Sequence, residues 1–125
     1  MENLMIKIIL GHFVGDFFFQ TKDMAGNKYL PGHKGFLWCS LHVFLYTSTV
    51  AVFTQNFSLI FLLGVFLPHW IVDRYRLAYH WMRFMGRAEL LTNPEPNKAQ
   101  FGPVIYVAMD QTIHLGCLYL LFKLL

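Results

Sequence analysis

The residues best suited to chemistry are histidines and aspartates that interrupt long apolar runs. Three pairs, each four residues apart, occur in the strings GHFVGDF, PHWIVD and MDQTIH, and one more histidine lies in another apolar run. Side chains four residues apart lie on one face of an α-helix, so each pair would present its imidazole and its carboxylate in the same direction. The seven candidates are His12, Asp16, His42, His69, Asp73, Asp110 and His114.

Imidazole and carboxylate groups together are typical of metal sites. Neutral imidazole and carboxylate suit zinc above all, with manganese or iron as alternatives, and three to four such ligands hold one ion. Seven candidates allow two ions bridged by a carboxylate. The alternative is structural: a histidine that hydrogen-bonds a neighbouring helix, or His–Asp pairs that neutralise each other. We expect a metal site with all seven residues as ligands.

Two glutamines adjoin these candidates. Gln20 follows Asp16 by one helical turn on the same face, and is expected to hydrogen-bond a ligand or to act in catalysis. Gln111 follows Asp110 directly, so a regular helix would point it elsewhere, although it belongs to the same motif.

Three cations lie close to the predicted ends of the apolar runs. Lys28, Arg74 and Arg76 are suited to hold the phosphate or carboxylate of a substrate. The alternative, most relevant to Arg74, is an interfacial anchor whose apolar stem lies in lipid.

The composition indicates the elements that must position these groups. Of the 125 residues 56% are apolar and only 14% are charged, which argues against a typical soluble domain, a disordered chain and a disulfide-stapled module. Four windows approach the roughly 20 apolar residues of a membrane span. We therefore predict an all-α, four-helix membrane bundle forming one domain over 1–125, with spans at about 4–19, 36–53, 57–75 and 104–122.

The charges set the orientation of this bundle. Eight of the ten Lys and Arg residues fall in or beside the first and third connections, which the positive-inside rule places in the cytoplasm, with both termini outside. A short turn near 54–56 makes the second and third spans a hairpin. Residues 80–87 are expected to form a short amphipathic helix on the cytoplasmic leaflet. The alternative is a plain extension of the third span.

The seven candidates agree in depth as well as in spacing. The first and third spans carry them late and the second and fourth carry them early, so all fall in the cytoplasmic half of the membrane. An aspartate at the centre of a span costs about 2.5–3.5 kcal/mol, and a bound cation would offset that cost. Gly15, Gly64 and Gly116 lie inside spans, where small residues allow close helix packing.

These motifs resemble a small membrane family of bacteria and their phages, known as domain of unknown function 3307. The likeness rests on HFVGDFFFQ, the downstream Lys28, the histidine of the second span, HWIVDRYR and DQTIH. It places Gln20 and Gln111 on motif positions beside the seven candidates, and Arg76 stands where the family has lysine. The resemblance implies the bacterial inner membrane as location. A looser similarity to membrane-bound metal-dependent hydrolases is an analogy only.

Several functions fit this pattern. The first is a metal-dependent hydrolase that acts on a lipid or phosphoester near the cytoplasmic leaflet. The alternatives are a metal-ion or proton transporter, which would need a homo-oligomer for a gated path, haem-based electron transfer, and a non-catalytic module in phage–host interaction. The carboxylates argue against haem. Membrane lipids are the expected partners, and nucleic acid is not, because topology accounts for the basic residues.

Overall fold

A computed structural model describes the backbone of residues 2–86 and 101–124 and the side chains of residues 4–86 and 103–124. Every regular element in these ranges is helical, so the chain is all-α, as predicted. The α-helices are α1 (Glu2–Phe13), α2 (Lys22–Asn27), α3 (Gly32–Thr54), α4 (Leu59–Arg74), α5 (Leu77–Phe84) and α6 (Phe101–Leu124).

A helix occupies each of the four positions where the sequence predicted a span. The first differs in detail, because α1 passes into a π-helical turn, Val14–Phe18, in which the Phe19 N–H donates to the Val14 carbonyl at 3.3 Å. Such π turns are rare and occur most often at functional sites. The fourth begins at Phe101, earlier than predicted.

The helix ends follow ordinary capping chemistry. The Thr21 side chain accepts from the Met24 N–H at 3.2 Å and starts α2, and the Ser58 side chain accepts from the Phe61 N–H at 3.3 Å and starts α4. Gln55 adopts a left-handed conformation (φ 53°) that ends α3, so a turn of a few residues joins α3 to α4 as predicted.

A separate helix follows α4, and this excludes the simple extension of the third span. Tyr75 ends α4, and Arg76 stands before α5 in a left-handed conformation with φ 50°. The helix predicted at residues 80–87 is thus present as α5, although it begins at Leu77. Arg87 and Lys98, which entered the charge argument, lie outside the described residues.

Helix α3 is the centre of the packing. It contacts α1, the π turn, α2 and α4, while α6 packs against α4, α5 and α1. The apolar core between these helices comprises Ile8, Tyr46, Val50, Phe61, Val65 and Leu118. It adjoins the buried histidines, since Tyr46 belongs to the core and stacks on His69 with ring centroids 3.8 Å apart.

Two of the three glycines singled out in the sequence lie at close helix contacts. A Cβ built on Gly15 would meet the Cδ2 and Cα of Tyr46 at 3.0 and 3.2 Å, and one on Gly64 would meet Leu121 at 2.5 Å. A Cβ built on Gly116 would meet none of the described neighbouring atoms within 4 Å, so the expectation of close packing there was wrong. The missing side chain at Gly15 brings the π turn against α3.

Two of the described helices, Gly32–Thr54 and Pro103–Leu124, are long and apolar enough to cross a membrane by length and composition. α4 has 16 residues and α1 has 12, and both are shorter than the 18 residues taken as the minimum for a span.

Candidate metal centre

Six of the seven predicted ligands lie together where the helices meet. Five of the six are buried and Asp110 is half-buried. We call these six residues the His/Asp cluster. They are Asp16 on the π turn, His42 on α3, His69 and Asp73 on α4, and Asp110 and His114 on α6.

Four atoms of the cluster converge on one point: Asp16 Oδ1, Asp73 Oδ2 and the Nε2 atoms of His42 and His69. His42 Nε2 lies 3.2 Å from His69 Nε2, 3.2 Å from Asp16 Oδ1 and 3.1 Å from Asp73 Oδ2. His69 Nε2 lies 3.5 Å from Asp16 Oδ1 and 3.3 Å from Asp73 Oδ2. Ligands of a tetrahedral zinc ion, each about 2.0–2.1 Å from the metal, lie about 3.3–3.4 Å apart. These spacings therefore match an ion-sized coordination site.

Hydrogen bonding alone accounts poorly for this convergence. Carboxylate oxygens only accept, and each neutral imidazole carries a single N–H, so few protons are available for five close contacts. Within the described part of the chain, the Nδ1 atoms of His42 and His69 are buried without a hydrogen-bond partner. Histidines that bind metal usually donate a hydrogen bond from that second nitrogen, and His42 and His69 differ in this respect. A cation between the four atoms satisfies all of them at once.

A second group shares one residue with the first. Asp16, Asp110 and His114 each offer an atom within 4.8 Å of the others. His114 Nε2 lies 3.4 Å from Asp110 Oδ2 and 3.0 Å from Asp73 Oδ1. Asp16 belongs to both groups, so its carboxylate links them. The cluster could hold a metal ion, and its donor set does not fix which one.

Lys28 reaches the cluster from the first connection. Its Nζ donates to Asp73 Oδ2 at 2.9 Å and to Gln20 Oε1 at 2.8 Å. Burial alone would lower the pKa of Lys28, but the negative charges of Asp73 and Asp16 outweigh burial and raise that pKa above its ordinary value. With Lys28 charged, the imidazoles neutral and the three carboxylates ionised, the net charge is −2, which one divalent cation would neutralise.

His12 lies beside the cluster with both ring nitrogens engaged elsewhere. Its Nδ1 is 2.7 Å from the Tyr46 hydroxyl and its Nε2 is 2.6 Å from Gln111 Oε1. Gln111 Nε2 donates to Asp16 Oδ2 at 2.7 Å. The expectation that Gln111 points away was therefore wrong. It precedes His114 by three residues, and this spacing brings it to the cluster face of α6.

The other predicted residues have different surroundings. Gln20 donates to the backbone carbonyl of Asp16 at 3.3 Å and accepts from Lys28, so it supports the π turn and the lysine. The Arg76 guanidinium lies 4.6 and 4.7 Å from the ring centroids of Tyr29 and Tyr79. Arg74 is the half-buried last residue of α4. The roles of Arg74 and Arg76 in binding substrate stay predictions.

Sequence reasoning missed Tyr46. It lies on α3, it is 1% exposed, and it touches both His12 and His69. The signal was present, because Tyr46 follows His42 by four residues, the spacing that paired the other polar groups.

The fold and the site define a class: an all-α protein whose helices surround a buried cluster of histidine and aspartate that could hold a metal ion. The family follows from the sequence, which over residues 4–125 matches the family described as protein of unknown function (DUF3307), and the chain belongs to it. No curated protein and no solved structure matches the chain.

Proposed function

We propose that this is a four-span membrane protein that binds a divalent metal ion in the His/Asp cluster and hydrolyses a lipid or another phosphoester near the cytoplasmic leaflet. The observation that carries the proposal is the convergence of four ligand atoms from Asp16, His42, His69 and Asp73 at spacings of 3.1–3.5 Å. Two imidazoles and two carboxylates at these spacings favour zinc.

The distribution of polarity supports the membrane location. Large apolar side chains face outward, among them Phe18 (81% exposed), Leu59 (70%) and Ile60 (70%), while His12 and all of the His/Asp cluster except the half-buried Asp110 are buried. A soluble protein buries apolar groups and seldom exposes so many of them together. The shorter helices α1 and α4 pack in the same bundle as the long apolar helices α3 and α6.

Access to the cluster differs from one group to another. The side chains of Lys28 and Asp110 are each 15% exposed, so these two groups are the ones a substrate can reach. Beside His69 and His114, a cavity of only about 10 Å³ lies among Tyr46, Val65 and Leu118, at the lower limit for one water molecule. A cluster with reachable charged groups at its edge suits an enzyme.

The surroundings also suit phosphoester chemistry. A bound divalent ion supplies Lewis-acid polarisation of the phosphoryl group and lowers the pKa of water to about 7. Lys28 uses two of its three N–H groups within the protein, and the third can donate to a phosphoryl oxygen. Asp110 is the least buried carboxylate of the cluster and the candidate general base.

Metal analysis of the detergent-purified protein tests the site. We expect at least one zinc, manganese or iron ion per chain, measured by mass spectrometry, and loss of that metal in His69→Ala. The matched control is His33→Ala, which changes an exposed histidine outside the cluster. Metal-free wild-type protein that takes up no ion on reconstitution would refute the metal site, as would full metal content in His69→Ala.

A substrate screen tests the reaction. We expect the metal-loaded protein to hydrolyse phosphoester lipids in mixed micelles, and a chelator to abolish turnover. Liposomes that contain the protein should show no metal flux. Flux across liposomes together with no turnover would assign the cluster to transport.

A further inference from the structure

A chain of three hydrogen bonds leads from the core to the cluster. It runs from the Tyr46 hydroxyl to His12 Nδ1 at 2.7 Å, from His12 Nε2 to Gln111 Oε1 at 2.6 Å, and from Gln111 Nε2 to Asp16 Oδ2 at 2.7 Å. These are among the shortest polar contacts around the cluster. They join α3, α1, α6 and the π turn.

The chemistry of the groups fixes the direction of every bond in the chain. A carboxylate only accepts, so the Gln111 amide nitrogen must face Asp16 and the amide oxygen must face His12. His12 Nε2 then carries the proton and donates to Gln111. In a neutral ring His12 Nδ1 is left to accept from the Tyr46 hydroxyl. Each donor in the chain thus has one acceptor.

We propose that Tyr46, His12 and Gln111 are positioning residues that hold the Asp16 carboxylate for metal binding, and that His12 is not a ligand. The inference rests on the metal site proposed above. Gln111 binds Asp16 Oδ2, which leaves Asp16 Oδ1 facing the Nε2 atoms of His42 and His69 at 3.2 and 3.5 Å. A carboxylate free to rotate would present either oxygen, or both, to those histidines.

The tyrosine end gives the chain a fixed origin. Tyr46 is fully enclosed in the core, its ring stacks on His69, and its hydroxyl donates to His12 Nδ1, as the tautomer required by Gln111 allows. Without that hydroxyl, His12 Nδ1 loses this donor, and the imidazole is no longer tied to the core at its Nδ1 end. The ring can then shift, and the shift passes through Gln111 to Asp16.

The test uses Gln111→Leu and Tyr46→Phe in the full-length protein, with zinc affinity measured by competition with a chromogenic chelator. Changing groups that orient metal ligands typically lowers affinity about 10- to 100-fold, and we expect both variants to fall in that range. Their Co²⁺ forms at saturation should retain the wild-type visible spectrum, because the ligand set is unchanged. His12→Ala should retain that spectrum as well.

The control is Thr112→Val. Thr112 is next to Gln111 and exposed, and its hydroxyl donates to the Ala108 carbonyl of its own helix at 2.7 Å. Its zinc affinity should equal that of wild type. Wild-type affinity in Gln111→Leu, or a changed Co²⁺ spectrum in His12→Ala, overturns the inference while the metal site itself stands. If Gln111→Leu fails to fold, Tyr46→Phe, which removes one oxygen atom, decides. Absence of metal in the wild type overturns the proposed function instead.

Discussion

At the scale of single residues, Lys28 stabilises the cluster when no metal is bound. Its ammonium group lies 2.9 Å from Asp73 Oδ2 and compensates a carboxylate whose side chain is only 1% exposed. Three imidazoles and a second carboxylate lie close to that same carboxylate. Removing one partner of a buried ion pair leaves an uncompensated charge, which is far more costly than the pair is stabilising.

We therefore expect Lys28→Met to destabilise the metal-free protein by about 3 kcal/mol. Zinc should recover most of this loss, because it supplies positive charge to the same carboxylates. The measurement is thermal unfolding in detergent, with and without zinc. Lys22→Met, which changes an exposed lysine of α2, should stay within about 0.5 kcal/mol of wild type. An equal effect of zinc on Lys28→Met and on wild type would contradict this account.

At the scale of elements, the π turn Val14–Phe18 places Asp16 in the cluster. It packs against α3 at Gly15, where even a methyl group would lie 3.0 Å from the Tyr46 ring and 3.2 Å from its Cα. The backbone atoms of α3 cannot move aside as a flexible side chain can. The contact therefore sets the distance between Asp16 and His42.

Gly15→Ala should push the π turn away from α3 and weaken metal binding. Overpacking of this kind costs about 1–3 kcal/mol of stability. The matched substitution is Gly116→Ala in α6, where an added Cβ meets nothing within 4 Å, and we expect it to leave metal affinity unchanged. Chelator competition and thermal unfolding measure the two effects. Wild-type metal affinity in Gly15→Ala would show that the close contact does not position Asp16.

At the scale of the whole molecule, the His/Asp cluster is buried beside the apolar core, while many large apolar side chains are exposed. Phenylalanine, leucine and isoleucine cover much of the outside. In lipid this arrangement is stable if a cation neutralises the interior, because hydrocarbon solvates the exterior. In the orientation proposed from the positive-inside rule, the charged connection that contains Lys28 faces the cytoplasm.

Labelling of single cysteines in intact cells tests this orientation. In a background of Cys39→Ala and Cys117→Ser, we expect Gln55→Cys to react with an impermeant maleimide from outside. Gly26→Cys should react only after permeabilisation. Both positions are exposed in the structure, so access depends on the side of the membrane. Labelling of Gly26→Cys in intact cells would show that the topology is the reverse of the proposed one and that the cluster lies in the outer half of the membrane.

Local signals in the sequence were sufficient for the helices and for the polar candidates. Hydropathy and spacing depend on neighbours within a few turns, which is why helices occur at all four predicted positions. The same spacing identified the i,i+4 pairs His69/Asp73 and Asp110/His114, whose side chains contact each other at 3.3 and 3.4 Å.

Tertiary structure alone decided what each polar group faces. His12 and Asp16 share a helix face by sequence, yet Gln111, 99 residues beyond His12, lies between them and takes the histidine's Nε2. Lys28 meets Asp73 across 45 residues, and Tyr46 reaches His12 across 34. These partners are set by how helices rotate and approach one another, and the pattern within a single helix carries no information about that.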